Sequence, residues 1–119
     1  MITLKTLSQA TAQEVFDQVA RHLLTQGKKS ISENNQYCMY RGFNGTKCAA
    51  GCLIADDEYR SEFEIKTWAE LVMGGYVVSK NHYVLIMKLQ SVHDEYNIED
   101  WKSILNRLAE ESDLKPIDF

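Results

Sequence analysis

The chain has 119 residues, of which 45% are hydrophobic and 25% are charged, so it can fill one modest core but not two independent ones. This composition excludes a disordered or low-complexity protein. The net charge of −4 argues against non-specific binding to nucleic acid, because such binding needs lysines and arginines to neutralise phosphates. We therefore expect a single domain over residues 1–119.

Charge is divided unevenly along the chain. Residues 1–54 carry six basic and three acidic side chains, a net charge of +3, whereas residues 55–119 carry seven basic and fourteen acidic ones, a net charge of −7. An acidic half of this kind either steers the protein toward a basic partner or simply keeps it in solution.

The expected location is the cytoplasm, without membrane contact. No apolar run approaches the roughly 20 residues that span a bilayer, and the N-terminus lacks a basic region leading into a long apolar one. In a reducing compartment, the odd count of three cysteines predicts free thiols or a thiolate site rather than disulfides.

The first predicted helix covers residues 12–26. The sequence Thr11-Ala12-Gln13-Glu14 is a capping box, apolar residues then recur at helical spacing, and Gly27 ends the pattern. After a polar loop over residues 28–36, residues 37–41 are expected to face residues 46–48 as a β-hairpin across the Asn44-Gly45 turn.

A short, closely packed helix is predicted over residues 49–54, where Gly51 indicates close approach of another backbone segment. Three further helices are predicted near residues 66–73, 82–94 and 98–111, and apolar residues surround most of the second of these, which marks it as the central, buried helix. The predicted fold class is α+β: a mostly helical domain with a small β-hairpin or three-stranded antiparallel sheet.

Three cysteines, spaced Cys38-x9-Cys48-x3-Cys52, raise the question of a zinc site. Structural zinc takes four ligands, usually from tight pairs such as Cys-x2-Cys, so the minority interpretation is zinc and the favoured one is small buried thiols. A two-residue Asn44-Gly45 loop would put Cys38 and Cys48 on opposite faces of the hairpin, whereas a three-residue loop would place them opposite each other.

Two further patterns suggest ligand chemistry. Arg41 and Lys47 flank one turn beside Tyr40, and this group is the predicted site for a phosphate-bearing small ligand. His93-Asp94 resembles a dipeptide of metal-dependent phosphohydrolases, although that class needs further histidines and aspartates on other helices. The simpler interpretation of His93 is a favourable contact with the end of a helix.

The chain contains Cys38-x-Tyr40-Arg41, then a run from Gly45-x-Lys47-Cys48-Ala49-Ala50-Gly51-Cys52-Leu53-Ile54 to Asp56-Asp57-x-Tyr59, and later Leu89-Gln90-x-x-His93-Asp94 and Trp101. This combination of motifs resembles small proteins of bacteriophages and prophages. The likeness spans residues from about 8 to 113. It implies a phage or prophage origin and expression in a bacterial cytoplasm, and it brings no catalytic residue with it.

Short acidic phage proteins often act stoichiometrically on a host or defence protein. The favoured hypothesis is therefore a non-enzymatic binding protein whose acidic residues Asp56, Asp57 and Glu58 contact the partner. The alternatives are a module that sequesters a phosphate-bearing small molecule and a small metal-dependent hydrolase. A homodimer is a further expectation, because a chain this small can leave an apolar patch uncovered.

Overall fold

Within residues 1–118, four α-helices carry the fold: α1 (Ala12–Gln26), α2 (Trp68–Met73), α3 (Tyr83–Glu95) and α4 (Trp101–Glu111). The structure, a computed structural model, describes residues 1–118. Single 3-10 turns lie between the helices and before α1, at Leu7–Gln9, Phe43–Gly45, Ala50–Leu53, Ser61–Phe63 and Ile98–Asp100.

The capping box predicted for α1 is confirmed. The Thr11 hydroxyl accepts the Glu14 N–H, the Glu14 carboxylate accepts the Thr11 N–H, and Gly27 ends the helix with φ 64°. The buried face of α1 holds Val15, Phe16, Val19, Ala20 and Leu23. None of the helices in residues 1–118 is long and apolar enough to cross a membrane.

Helix α3 lies at the centre, where it packs against α1, α2, α4 and the Ala50–Leu53 turn. It buries Ile86, Leu89, Val92 and His93. The prediction that apolar residues bury this helix on most sides is wrong for one face, because Val84 remains 60% exposed and Met87 39% exposed. The described segments leave Val84 mostly uncovered and cover Met87 only in part.

The α+β prediction is wrong: the described residues form an all-helical fold. Their only β pairing is a single antiparallel bridge between Ile31 and Cys38. The predicted hairpin fails because the backbone N–H groups of Tyr40 and Arg41 donate to the Glu64 carboxylate, at 3.0 and 3.1 Å, instead of to a neighbouring strand. A side chain therefore satisfies the backbone that the hairpin would have paired.

The predicted turn exists without the hairpin. Asn44 and Gly45 have φ angles of 61° and 75°, and the Gly42 N–H donates to the Thr46 carbonyl at 2.8 Å. Close approach at Gly51 is confirmed, since a Cβ there would lie 2.5 Å from the Tyr40 carbonyl oxygen.

Four glutamines on α1 and α3 hold the irregular segments in place. Their side-chain amides bond to backbone groups outside the α-helices: Gln13 to Lys115, Gln18 to Ile2 and Cys52, Gln26 to Lys28 and Lys47, and Gln90 to Ala50. Loops lack the hydrogen bonds that neighbouring strands of a sheet provide. The glutamine amides therefore supply the hydrogen-bond partners that the loop backbone needs.

Candidate functional site

A cavity of about 340 Å³ opens between the start of α2, one face of α3 and residues 38–40. Its apolar wall consists of Met39, Tyr40, Ile65, Trp68 and Met87. The remaining lining residues are Cys38, Cys48, Lys66, Thr67, Gln90, Ser91 and Asp94. A mostly apolar concavity with a few polar groups is typical of binding sites.

Trp68 contributes a buried hydrogen-bond donor without an acceptor. It is the first residue of α2, placed there by a second capping box between Thr67 and Glu70. Its indole nitrogen, Nε1, has no hydrogen-bond partner among the described residues and almost no contact with solvent. An unsatisfied buried donor costs about 1–3 kcal/mol and calls for an explanation.

Ile65 stands at the cavity in a strained conformation. Its φ angle is 62°, a region that β-branched residues rarely adopt, and its side chain is 91% exposed. Both neighbours are fixed: Glu64 accepts two backbone N–H groups, and the Lys66 carbonyl accepts the Tyr40 hydroxyl at 2.7 Å. The surrounding bonds therefore hold an apolar side chain out in solvent.

On the polar side, Cys38, Asp94 and His93 form a connected group. His93 is fully buried and stacks on the Trp101 ring at 5.7 Å. Its Nε2 accepts the Ser30 N–H at 2.8 Å, so its Nδ1 is the nitrogen that donates to Asp94 at 2.7 Å. Asp94 thus lies between the thiol and the imidazole.

The order of thiol, carboxylate and imidazole does not suit nucleophilic catalysis. A cysteine nucleophile is activated by a histidine base beside it, but Cys38 bonds to Asp94 instead. Burial and the nearby Asp94 charge raise the pKa of Cys38 to about 11, which keeps it a thiol. Burial alone would raise the pKa of Asp94, but hydrogen bonds from His93, Cys38 and Gln90 hold it below its usual value.

The same three residues are poorly arranged for a metal. Their ligand atoms lie within 4.8 Å of one another. A metal-bound histidine normally donates its other ring N–H to an acceptor, however, and Nε2 of His93 faces the Ser30 N–H, which is a donor. The geometry therefore gives no support to the His93-Asp94 hydrolase alternative.

The three cysteines of the zinc interpretation serve separate local contacts. Exposed Cys38 and buried Cys48 both line the cavity, Cys48 also accepts the Gly51 N–H through its sulfur, and the Cys52 thiol donates to the Ala49 carbonyl. The prediction of buried thiols is therefore wrong for Cys38. Within residues 1–118 the clustered ligand atoms are those of Cys38, His93 and Asp94, without the other two cysteines. Burial raises the pKa of Cys52 to about 12 and that of Cys48 further.

The predicted ligand residues Tyr40, Arg41 and Lys47 have partners inside the molecule. Tyr40 is buried, and Arg41 donates to the carbonyls of Gly51 and Ile54 at 2.9 and 2.6 Å. Asp56 lies 3.1 Å from the Arg41 guanidinium and 3.6 Å from the Lys47 ammonium. These two charges hold the pKa of Asp56 below its usual value. A phosphate would compete with Asp56 for Arg41 and Lys47. The ligand-binding role of Tyr40, Arg41 and Lys47 stays a prediction.

The predicted partner residues Asp56, Asp57 and Glu58 differ in their surroundings. Asp56 forms the ion pairs just described, and Glu58 accepts backbone N–H groups of Leu4, Lys5 and Ala55. Asp57 is exposed. Neutralising all three would therefore disturb the fold as well as any interface.

Sequence reasoning missed the cavity residues Ile65, Trp68 and Met87 as a site. The Thr67-x-x-Glu70 capping box is readable in the sequence and would have placed Trp68 at the start of a helix. The positive φ of Ile65 and the uncovered face of α3 leave no sequence signal, because both result from tertiary packing.

Comparisons with protein-family models, with curated proteins and with solved structures found no match to this chain.

Proposed function

We propose that this chain is a non-enzymatic binding protein, encoded by a phage or prophage, that acts stoichiometrically on a host or defence protein in the bacterial cytoplasm. One observation carries the proposal: large apolar side chains stand exposed within a short stretch of the acidic half. They are Ile65, Met73, Val78, Val84 and Met87.

This combination is typical of protein interfaces. Interfaces have an apolar centre, enriched in residues such as methionine, and a polar rim. The net charge of −7 over residues 55–119 adds long-range attraction toward a basic partner. A phosphate-bearing ligand has less support, because Asp56 already pairs with Arg41 and Lys47.

The test is affinity capture from lysate of the bacterial host, with the amount of each retained protein quantified. We expect one retained protein in a fixed ratio to the chain, and at least tenfold weaker retention by Val84→Ser, which removes an exposed apolar contact.

Tyr37→Ser is the matched control, since Tyr37 is also 60% exposed but lies in the basic half. Asp57→Asn tests the acidic residues without disturbing an internal bond. Equal retention by Val84→Ser and Tyr37→Ser, or no stoichiometric partner at all, would refute the proposal. Light scattering on the purified chain tests whether the partner is a second copy.

A further inference from the structure

We infer that the cavity beside α3 is the anchoring pocket of this interface and receives one apolar side chain of a partner polypeptide. A backbone carbonyl of the same partner segment accepts the Trp68 N–H. The inference rests on the proposed function and names the part of the partner that the site recognises.

The size and lining of the cavity fit an apolar anchor. A volume of about 340 Å³ exceeds that of one large aliphatic side chain and leaves room for its backbone. Interfaces concentrate their binding energy in a few side chains that fill pockets of this kind. Met39 and Met87 suit the role, since methionine adapts its shape to what it contacts.

A polypeptide explains the surface better than a small molecule does. The apolar surface continues beyond the cavity, because Val84, which is 60% exposed and not part of the lining, lies one turn before Met87 on the same face of α3. A small molecule held in the cavity would leave the Val84 side chain in water. A polypeptide that crosses α3 would cover it, and basic residues in that polypeptide would be attracted by the net charge of −7 over residues 55–119.

The Trp68 N–H specifies the second contact. It is buried without an acceptor among the described residues, and a backbone carbonyl is the acceptor that every polypeptide carries. Because Nε1 has less than 1 Å² of accessible surface, a side chain of the cavity wall must change rotamer before the carbonyl reaches it. The flexible methionines of the same wall allow such a change.

The experiment uses the full chain with ¹³C-labelled methionine methyl groups. Met39 and Met87 line the cavity, whereas Met1 and Met73 lie elsewhere and serve as internal controls. The probe is N-acetyl-leucinamide, a blocked residue with an apolar side chain and carbonyl acceptors, and N-acetyl-serinamide is its polar counterpart. We expect saturable shifts of the Met39 and Met87 signals with the leucine probe alone.

Trp68→Phe tests the hydrogen bond. The variant keeps an aromatic ring and removes the unsatisfied donor, which offsets part of the cost of the space that the smaller ring leaves. We expect it to bind N-acetyl-leucinamide at least threefold more weakly and to bind toluene, which has no acceptor, as the wild type does. An equal loss for both probes would overturn the assignment of Trp68.

The two proposals fail separately. Shifts of all four methionines, or equal shifts with the serine probe, would overturn the pocket even if a host partner is retained. Tighter binding of toluene than of the leucine probe to the wild type would indicate a small apolar ligand and would also overturn it. Specific probe binding together with no captured partner would leave the pocket in place and refute the proposed function.

Discussion

At the scale of single residues, the Glu64 carboxylate accepts the backbone hydrogen bonds that a neighbouring β-strand would otherwise accept. Its carboxylate accepts the N–H groups of Tyr40 and Arg41 and the Tyr59 hydroxyl, and it thereby fixes the path of the chain along the cavity. Glutamine at this position would turn an N–H₂ group toward a donor and leave a backbone N–H unsatisfied.

We predict that Glu64→Gln lowers the free energy of unfolding by about 1–3 kcal/mol, the cost of an unsatisfied buried group, as measured by urea titration. Glu62→Gln is the control, because its partner Arg60 is exposed and an exposed ion pair contributes about 0–1 kcal/mol. Similar effects of the two substitutions would contradict the role of Glu64.

Ile65 provides a prediction of opposite sign. Because its φ angle is 62°, glycine should relieve the strain, and Ile65→Gly should raise the free energy of unfolding by about 1 kcal/mol. The same substitution should weaken partner retention, since it removes an exposed apolar contact. Ile98→Gly, at a less exposed position that is not among the positive-φ residues, should instead destabilise the fold. A loss of stability in Ile65→Gly would refute the strain argument.

At the scale of elements, α2 shows how a short helix positions a site. Six residues are too few to form a stable helix alone, so α2 depends on its capping box and on the burial of Trp68, Leu71 and Val72. The cap fixes the helix start and with it the indole in the cavity wall.

Thr67→Ala should therefore lower the free energy of unfolding by about 1 kcal/mol, the usual cost of losing an N-cap. It should also weaken binding of N-acetyl-leucinamide, because the Trp68 wall loses its fixed position. Thr25→Ala is the control, since alanine at this exposed helical position should stabilise α1 by a few tenths of a kcal/mol. Unchanged stability in Thr67→Ala would contradict the importance of the cap.

The sequence predicted the secondary-structure elements better than it predicted the candidate site. The Thr11 capping box and the apolar spacing behind it predicted α1 correctly, and Gly51 was correctly identified as a point of close approach. The hairpin was wrong because the Asn44-Gly45 turn signal is local, whereas strand pairing depends on what Glu64 contacts. The cavity could not be predicted, because it joins residues from four separate segments.

At the scale of the whole molecule, several weak acids are held in their neutral forms. Burial raises the pKa of half-buried Cys52 to about 12 and those of buried Cys48 and Tyr40 further, whereas desolvation and the nearby Asp94 charge raise the pKa of the exposed Cys38 to about 11. In the unfolded chain a cysteine titrates at about 9.0. Since the folded pKa is the higher one, the native state is fully favoured below about pH 9 and loses stability as the pH rises above it.

We predict that the free energy of unfolding falls between about pH 9 and pH 11, by about 1.4 kcal/mol per pH unit for each fully buried thiol. Urea titrations at several pH values measure this slope. Cys48→Ala removes one buried thiol and should make the slope shallower, although it also lowers stability at neutral pH. A slope unchanged by Cys48→Ala would contradict the assignment.

The glutamines of α1 and α3 have a consequence for hydrogen exchange. The N–H groups of Ile2, Lys47, Ala50 and Lys115 lie outside α-helices, yet each donates to a helical glutamine at 2.7–2.9 Å. These amides should exchange slowly with deuterium, at rates set by opening of the helix that carries the glutamine. Gln26→Ala should speed exchange at Lys47 and leave Ala50, held by Gln90, unchanged. Hydrogen exchange in the loops of this protein would then measure the opening of its helices.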